Sequence, residues 1–185
     1  MSAFPVVLDA CVLAPYPLAD MLLRLAVEQT YRPLWSADIL AETRRTMVES
    51  LGLSEQKADR RLAVMRENFI DAEITGYRDL IPVMKNNDKD KHVLAAAVRE
   101  RAEVIVTFDL GGFPDDALKE YSIRALHPDD FLLDQLDLYQ EATITAIRGM
   151  VDSWTNPPFT LDEILIALAR RGAPNFAAEA RLAFP

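Results

Sequence analysis

Two short apolar runs, each closed by an aspartate, constrain the fold of this chain more than any other feature. Phe4–Leu8 (FPVVL) ends at Asp9, and Val104–Phe108 (VIVTF) ends at Asp109. Continuous apolar runs of this length, rich in β-branched side chains, fit strands buried on both faces. Pro33–Trp35 and Ile123–Leu126 are weaker runs of the same kind. Between them the apolar period becomes helical. Leu18, Leu22, Leu25 and Ala26 share one face, and Ile39, Leu40, Thr43, Met47 and Leu51 share another, with Ser36 or Asp38 as N-cap. Leu62, Met65 and Phe69 follow Ser54, while Val93, Leu94, Ala97 and Val98 follow Asp88 or Asp90. Strands alternating with helices predict an α/β fold on a mainly parallel sheet.

Beyond His127–Pro128 the pattern turns helical and acidic, with a break at Asn156–Pro157–Pro158. Thr160-Leu-Asp-Glu163 reads as a capping box opening a further helix. Gly172–Pro174 ends it, and a last short helix covers Phe176–Leu182. This predicts one domain over 1–131 and a helical extension over 132–185, too short for much of a core of its own. A single cysteine, Cys11, excludes an internal disulfide and a multi-cysteine zinc site, and two histidines, His92 and His127, are too few for a His-rich metal centre. The net charge of −9 argues against gripping a polyanion through net charge. A nucleic acid would need a local site where metal ions offset carboxylates. The N-terminal stretch lacks a basic n-region, and no apolar run approaches the ~20 residues of a membrane helix, so a cytoplasmic chain without a membrane is expected.

The candidate chemistry lies in four acids. Ligands of open parallel sheets bind beyond the carboxyl ends of the strands, where Asp9 and Asp109 fall. Asp90 fronts the helix DKHVLAAAVRE, which faces the same edge, and Glu42 lies mid-helix on the face away from Leu40, Met47 and Leu51. Four hard oxygen donors suit Mg2+ or Mn2+ better than zinc. Converging carboxylates need such a counter-charge, and ions so held activate water and steady a phosphoryl transition state. Taken singly, each residue has a blander role. A strand-end Asp is often a turn residue or N-cap, and a mid-helix Glu is ordinarily solvated. Asp88 reads as the cap or turn partner of Asp90, Cys11 as a small buried hydrophobe, and His92 and His127 as surface or capping residues. Arg44 and Arg45 form either an exposed face or phosphate contacts one turn from Glu42, and Thr107 either fills its strand or orients a ligand. Asp115 and Asp116 read as N-terminal acids of the short helix DDALKEY.

The order strand–Asp9, helical Glu42, Asp90 in DKHVLAAAV and Val-Thr-Phe-Asp109 resembles the PIN domain, especially the VapC-like toxins of bacterial toxin–antitoxin modules. The likeness covers about 1–131, and Thr107–Leu132 resembles a branch with a helical C-terminal extension. The resemblance implies a three-layer α/β/α sandwich and an acidic pocket binding Mg2+ or Mn2+ for endonucleolytic RNA cleavage. Its metal and catalytic roles fall on Asp9, Glu42, Asp90 and Asp109. Arg44, Arg45, Lys85, Lys89 and Lys91 are candidates for guiding the RNA backbone, and Thr107 for orienting the ligand. It further implies an antitoxin partner covering the acidic cleft, and a homodimer. The family often carries Thr or Ser, then Asn or Ser, after its first Asp, and an acid where Gly112 stands; this chain has Ala10, Cys11 and Gly112. Two alternatives remain open on the residues: a PIN nuclease of RNA processing without an antitoxin, and a degenerate PIN module that binds RNA or protein.

Overall fold

The computed structural model describes residues 4–155 and 157–184. Its elements run β1 (Pro5–Leu8), α1 (Ala10–Leu13), α2 (Leu18–Val27), β2 (Arg32–Ser36), α3 (Ala37–Arg45), α4 (Glu55–Asn68), β3 (Glu73–Ile74), α5 (Lys91–Arg99), β4 (Val104–Val106), α6 (Asp115–Leu118), β5 (Arg124–Leu126), α7 (Pro128–Leu138), α8 (Gln140–Ser153), α9 (Leu161–Arg170) and α10 (Pro174–Ala183). The five strands form one sheet in the order β3-β2-β1-β4-β5, with every pair parallel. Val6, Val7 and Leu8 of β1 and Val104–Val106 of β4 are buried, as the apolar runs required, so both faces of the sheet are covered. This is the α/β architecture the sequence predicts, followed by a helical C-terminal region. β1 pairs with β2 on one side and β4 on the other. The chain therefore reverses its direction of progress across the sheet between β1 and β4, and a crevice at that switch point is where such sheets bind ligands.

Two elements differ from expectation. β4 ends at Val106, two residues short of the apolar run; Thr107 N still bonds Leu126 O, while the Thr107 hydroxyl meets Asp9 and the Asp109 amide. Asp109 thus stands on the loop beyond the strand. β3 has only two residues, one exposed and one buried, too few to leave a periodic signal. The helix starts follow capping chemistry. Ser36, and not Asp38, caps α3 by accepting from Ile39 N, Ser54 caps α4 by accepting from Lys57 N, and Asp38 instead accepts from Tyr77 Oη and Arg78.

The chain divides into two compact units. The first holds the N-terminal segment to Ala14 and Arg32–His127, and contains the sheet. The second joins Pro15–Tyr31 to the chain from Pro128 onward, so α2 is grouped with α7–α10. Within it, the Tyr31 ring meets Phe131 edge-on at 5.1 Å and its hydroxyl donates to Leu22 O. The Thr160/Glu163 capping box forms as expected, and Gly172 takes a φ of +98° that ends α9 before Pro174 starts α10. Thr155 and Pro158 pair across the expected break, whose Asn156 lies outside the described residues. Asp129, 4% exposed in the first turn of α7, accepts from Asn175 N, Asn175 Nδ2 and Phe176 N at the start of α10. Asp129→Ala would strand those donors and should cost about 2–3 kcal/mol in urea denaturation. Asp129→Asn, which keeps an acceptor, should cost less.

Candidate active site

Asp9 is at once the end of β1 and the N-cap of α1. Its Oδ1 accepts from Ala10 N at 2.7 Å, and its Oδ2 accepts from the Thr107 hydroxyl at 2.7 Å and the Cys11 thiol at 3.3 Å. Thr107 Oγ1 in turn accepts from Asp109 N, and Cys11 Sγ accepts from Phe108 N. Burial, with the Asp9 charge adding to it, pushes the Cys11 thiol up to about 12. Cys11 is therefore a protonated donor to Asp9 and not a thiolate nucleophile.

Asp90 occupies the N-cap position of α5 but makes no side-chain cap, and its Oδ2 is buried with no hydrogen-bond partner. Burial raises its carboxyl above the ordinary range; Asp9 and Asp109 push the same way, while Lys89 and His92 oppose. The structure thus brings Asp9, Asp90 and Asp109 into one electrostatic neighbourhood. Asp109 caps the short turn Leu110–Gly112 by accepting from Gly112 N, and its Oδ2 lies 2.5 Å from Lys89 Nζ. Lys89 holds the Asp109 carboxyl below its usual range, and Asp109 foremost, then Asp90 and Asp9, hold the Lys89 ammonium above its own. Gly112 leaves the room these acids need. A Cβ there would collide with Asp90 Oδ2 and stand 3.6 Å from Asp109 Cγ.

Glu42 meets this group through a residue with no sequence signal. Its Oε1 is 3.3 Å from Nε2 of His92, which is 14% exposed and so neither a surface nor a capping residue. Both His92 ring nitrogens are buried without an aligned hydrogen bond. The basic residues fall mostly elsewhere. Arg44 is held by Glu55 and Asp59, Lys85 by Glu120 and Lys91 by Asp88, whereas Arg45 is exposed. Asp115 and Asp116 lie exposed in the first turn of α6. The oxygen-only donors, and the unserved Asp90 Oδ2 above all, fit a hard divalent cation. Among the described residues, no three His, Cys, Asp or Glu side chains already stand close enough to form a ligand set. Lys89 lies between two of the acids, 3.8 Å from Asp90 Oδ2. Among the described residues no helix is long and apolar enough to cross a membrane.

Comparison with known proteins adds a family. Residues 5–111 match the family model described as PIN domain, and residues 128–182 match that described as VapC50 C-terminal domain. A protein of Mycobacterium tuberculosis (strain ATCC 25618 / H37Rv) named "Putative ribonuclease VapC50" is 66% identical over 110 residues. That stretch is 60% of this chain and 64% of that relative, so the match spans less than two thirds of the relative's length. No solved structure matches.

Two substitutions probe the acids without metal. Gly112→Ala should push the Asp90 carboxylate aside and, because that oxygen has no hydrogen-bond partner to lose, leave the metal-free melting temperature nearly unchanged. Asp90→Asn should raise the metal-free melting temperature at neutral pH. A carboxyl whose pKa is raised on folding is most favourable when protonated, and that contribution is lost as pH rises through the raised value. The gain from Asp90→Asn should therefore shrink as pH falls toward the ordinary carboxylate range.

Proposed function

The chain belongs to the PIN-domain family, and from that premise we propose that it is a divalent-metal-dependent endoribonuclease serving as the toxin of a toxin–antitoxin pair. The observation that carries this reading is Asp90, an N-cap aspartate that declines to cap and keeps a buried oxygen unserved beside Asp9 and Asp109. A carboxylate so placed carries an energetic penalty that a bound cation would relieve more fully than the Lys89 ammonium 3.8 Å away. Asp9, Asp90 and Asp109 would hold Mg2+ or Mn2+, and Glu42, placed by His92, would orient the attacking water. A bound ion supplies a lowered water pKa and neutralises charge on the phosphodiester. Thr107 keeps Asp9 aimed, and Arg45 is the exposed cation nearest in sequence to Glu42. Arg44 and Lys91 could meet the RNA backbone only by leaving their acidic partners.

The match to the VapC50 C-terminal domain and the likeness to that ribonuclease support the toxin assignment over a PIN nuclease of RNA processing. With it come an antitoxin protein covering the acidic cleft, a homodimer, a cytoplasmic location, and a division into a nuclease domain over 1–131 and an extension over 132–185. The hydroxyl that Thr107 delivers to Asp9 speaks against a degenerate, non-cleaving module.

Purified protein incubated with single-stranded and structured RNAs should cleave with Mn2+ or Mg2+ and stop with chelator. Asp90→Ala should lower the rate about a hundredfold or more, since an ion and its bound water are worth several kcal/mol at the transition state. Cleavage that persists undiminished in chelator, or in Asp90→Ala, would sink the assignment.

A further inference from the structure

The basic residues around the acids do not share one fate. Arg44, Lys85 and Lys91 each pair with carboxylates outside the Asp9–Asp90–Asp109 group. Lys89 turns inward. Its Nζ lies 2.5 Å from Asp109 Oδ2 and 3.8 Å from Asp90 Oδ2. It belongs to the turn Asp88–Asp90, so its ammonium is tethered one residue from an acid it faces, at high effective concentration.

We propose that Lys89 is a resident counter-ion, its ammonium holding the place of a second divalent cation beside Asp109, so that the site takes one metal ion per chain. This rests on the metal-nuclease reading above. Paired-metal sites set their ions about 3.5–4 Å apart so that both attacking and leaving oxygens are neutralised. An ammonium bound to Asp109 supplies positive charge on one side of such a site. As a compact, flexibly tethered charge it needs no fixed set of ligands. Lys89 neutralises Asp109 from its Oδ2 side, so the charge left on Asp9, Asp90 and Asp109 together, with the unserved oxygen of Asp90, suits a single ion. Gly112 contributes by leaving Asp90 in place, since a side chain there would displace the oxygen that the ion requires.

The test counts ions on the full chain, by the EPR signal of free Mn2+ or by calorimetry. The Lys89 side chain is 68% exposed, so its replacement does not disturb the core, and metal-free melting curves verify that each variant folds. Wild-type protein should bind one Mn2+ per chain and Lys89→Ala two. Lys89→Arg, which keeps the charge, should stay at one, and Lys89→Ala combined with Asp109→Ala should return to one. Two ions on the wild type, one ion on both the wild type and Lys89→Ala, or two on Lys89→Arg would each overturn the proposal. Wild-type protein that binds no Mn2+ would overturn the metal reading with it. Mn2+-dependent RNA cleavage by the wild type, alongside an unchanged count in Lys89→Ala, would overturn the counter-ion role alone.

Discussion

The Asp9 carboxylate is the joint on which the site is assembled. One oxygen closes the first turn of α1, and the other gathers the Thr107 hydroxyl and the Cys11 thiol. A charge at the end of β1 thereby sets the path of the chain as it leaves β4. The constraint passes onward, from Thr107 Oγ1 to the Asp109 amide and from Asp109 Oδ1 to the Gly112 amide. Hydrogen bonds to an ionised acceptor are roughly twice as strong as neutral ones, which suits a carboxylate that must order two distant segments. The parallel pairing of β1 with β4 puts the segments side by side, and Asp9 fixes them in detail.

Asp90 shows the opposite economy. Ser36, Ser54 and Thr160 occupy N-cap positions and cap, each accepting a backbone N–H. Asp90 stands at the start of α5 with a suitable side chain, but its backbone continues the Asp88–Asp90 turn at a ψ of 0° where the others are extended, and its carboxylate bonds no α5 amide. It forgoes about 1 kcal/mol of capping and suffers a buried oxygen without a partner. Local structure that is worse than its sequence permits is a mark of a site shaped for something other than folding. Here the departure coincides with the point where the sheet topology reverses.

The fold was legible because burial on both faces of a sheet leaves a strong trace in PVVL and VIV, and because Ser54 and the Thr160–Glu163 pair mark helix starts by ordinary capping chemistry. β3 left no trace, since two residues held by the edge of an existing sheet need no pattern of their own. The grouping of α2 with α7–α10 was equally hidden, because an amphipathic helix declares which face it buries and not what it meets. At the site, the acids at the ends of apolar runs stood out as single residues. Their supports did not. Cys11 reads as an apolar filler until the Asp9 carboxylate is seen beside it, and His92 reaches Glu42 from fifty positions away. Arg44, two residues from Glu42, is claimed by Glu55 and Asp59 on the next helix. Side-chain pairing across elements depends on packing, which a single sequence does not display.

Cys11 has a consequence for the chemical durability of the site. Oxidants and alkylating reagents attack thiolates, and the thiolate fraction at neutral pH falls tenfold for each unit by which the thiol pKa rises. With burial and the Asp9 charge holding that pKa near 12, Cys11 is about a thousandfold poorer in thiolate than an ordinary cysteine. A more acidic sulfur placed against Asp9 would leave the pocket open to attack by peroxide. Burial first, and the charge of the carboxylate it supports second, keep the sulfur in the thiol form that oxidants attack slowly.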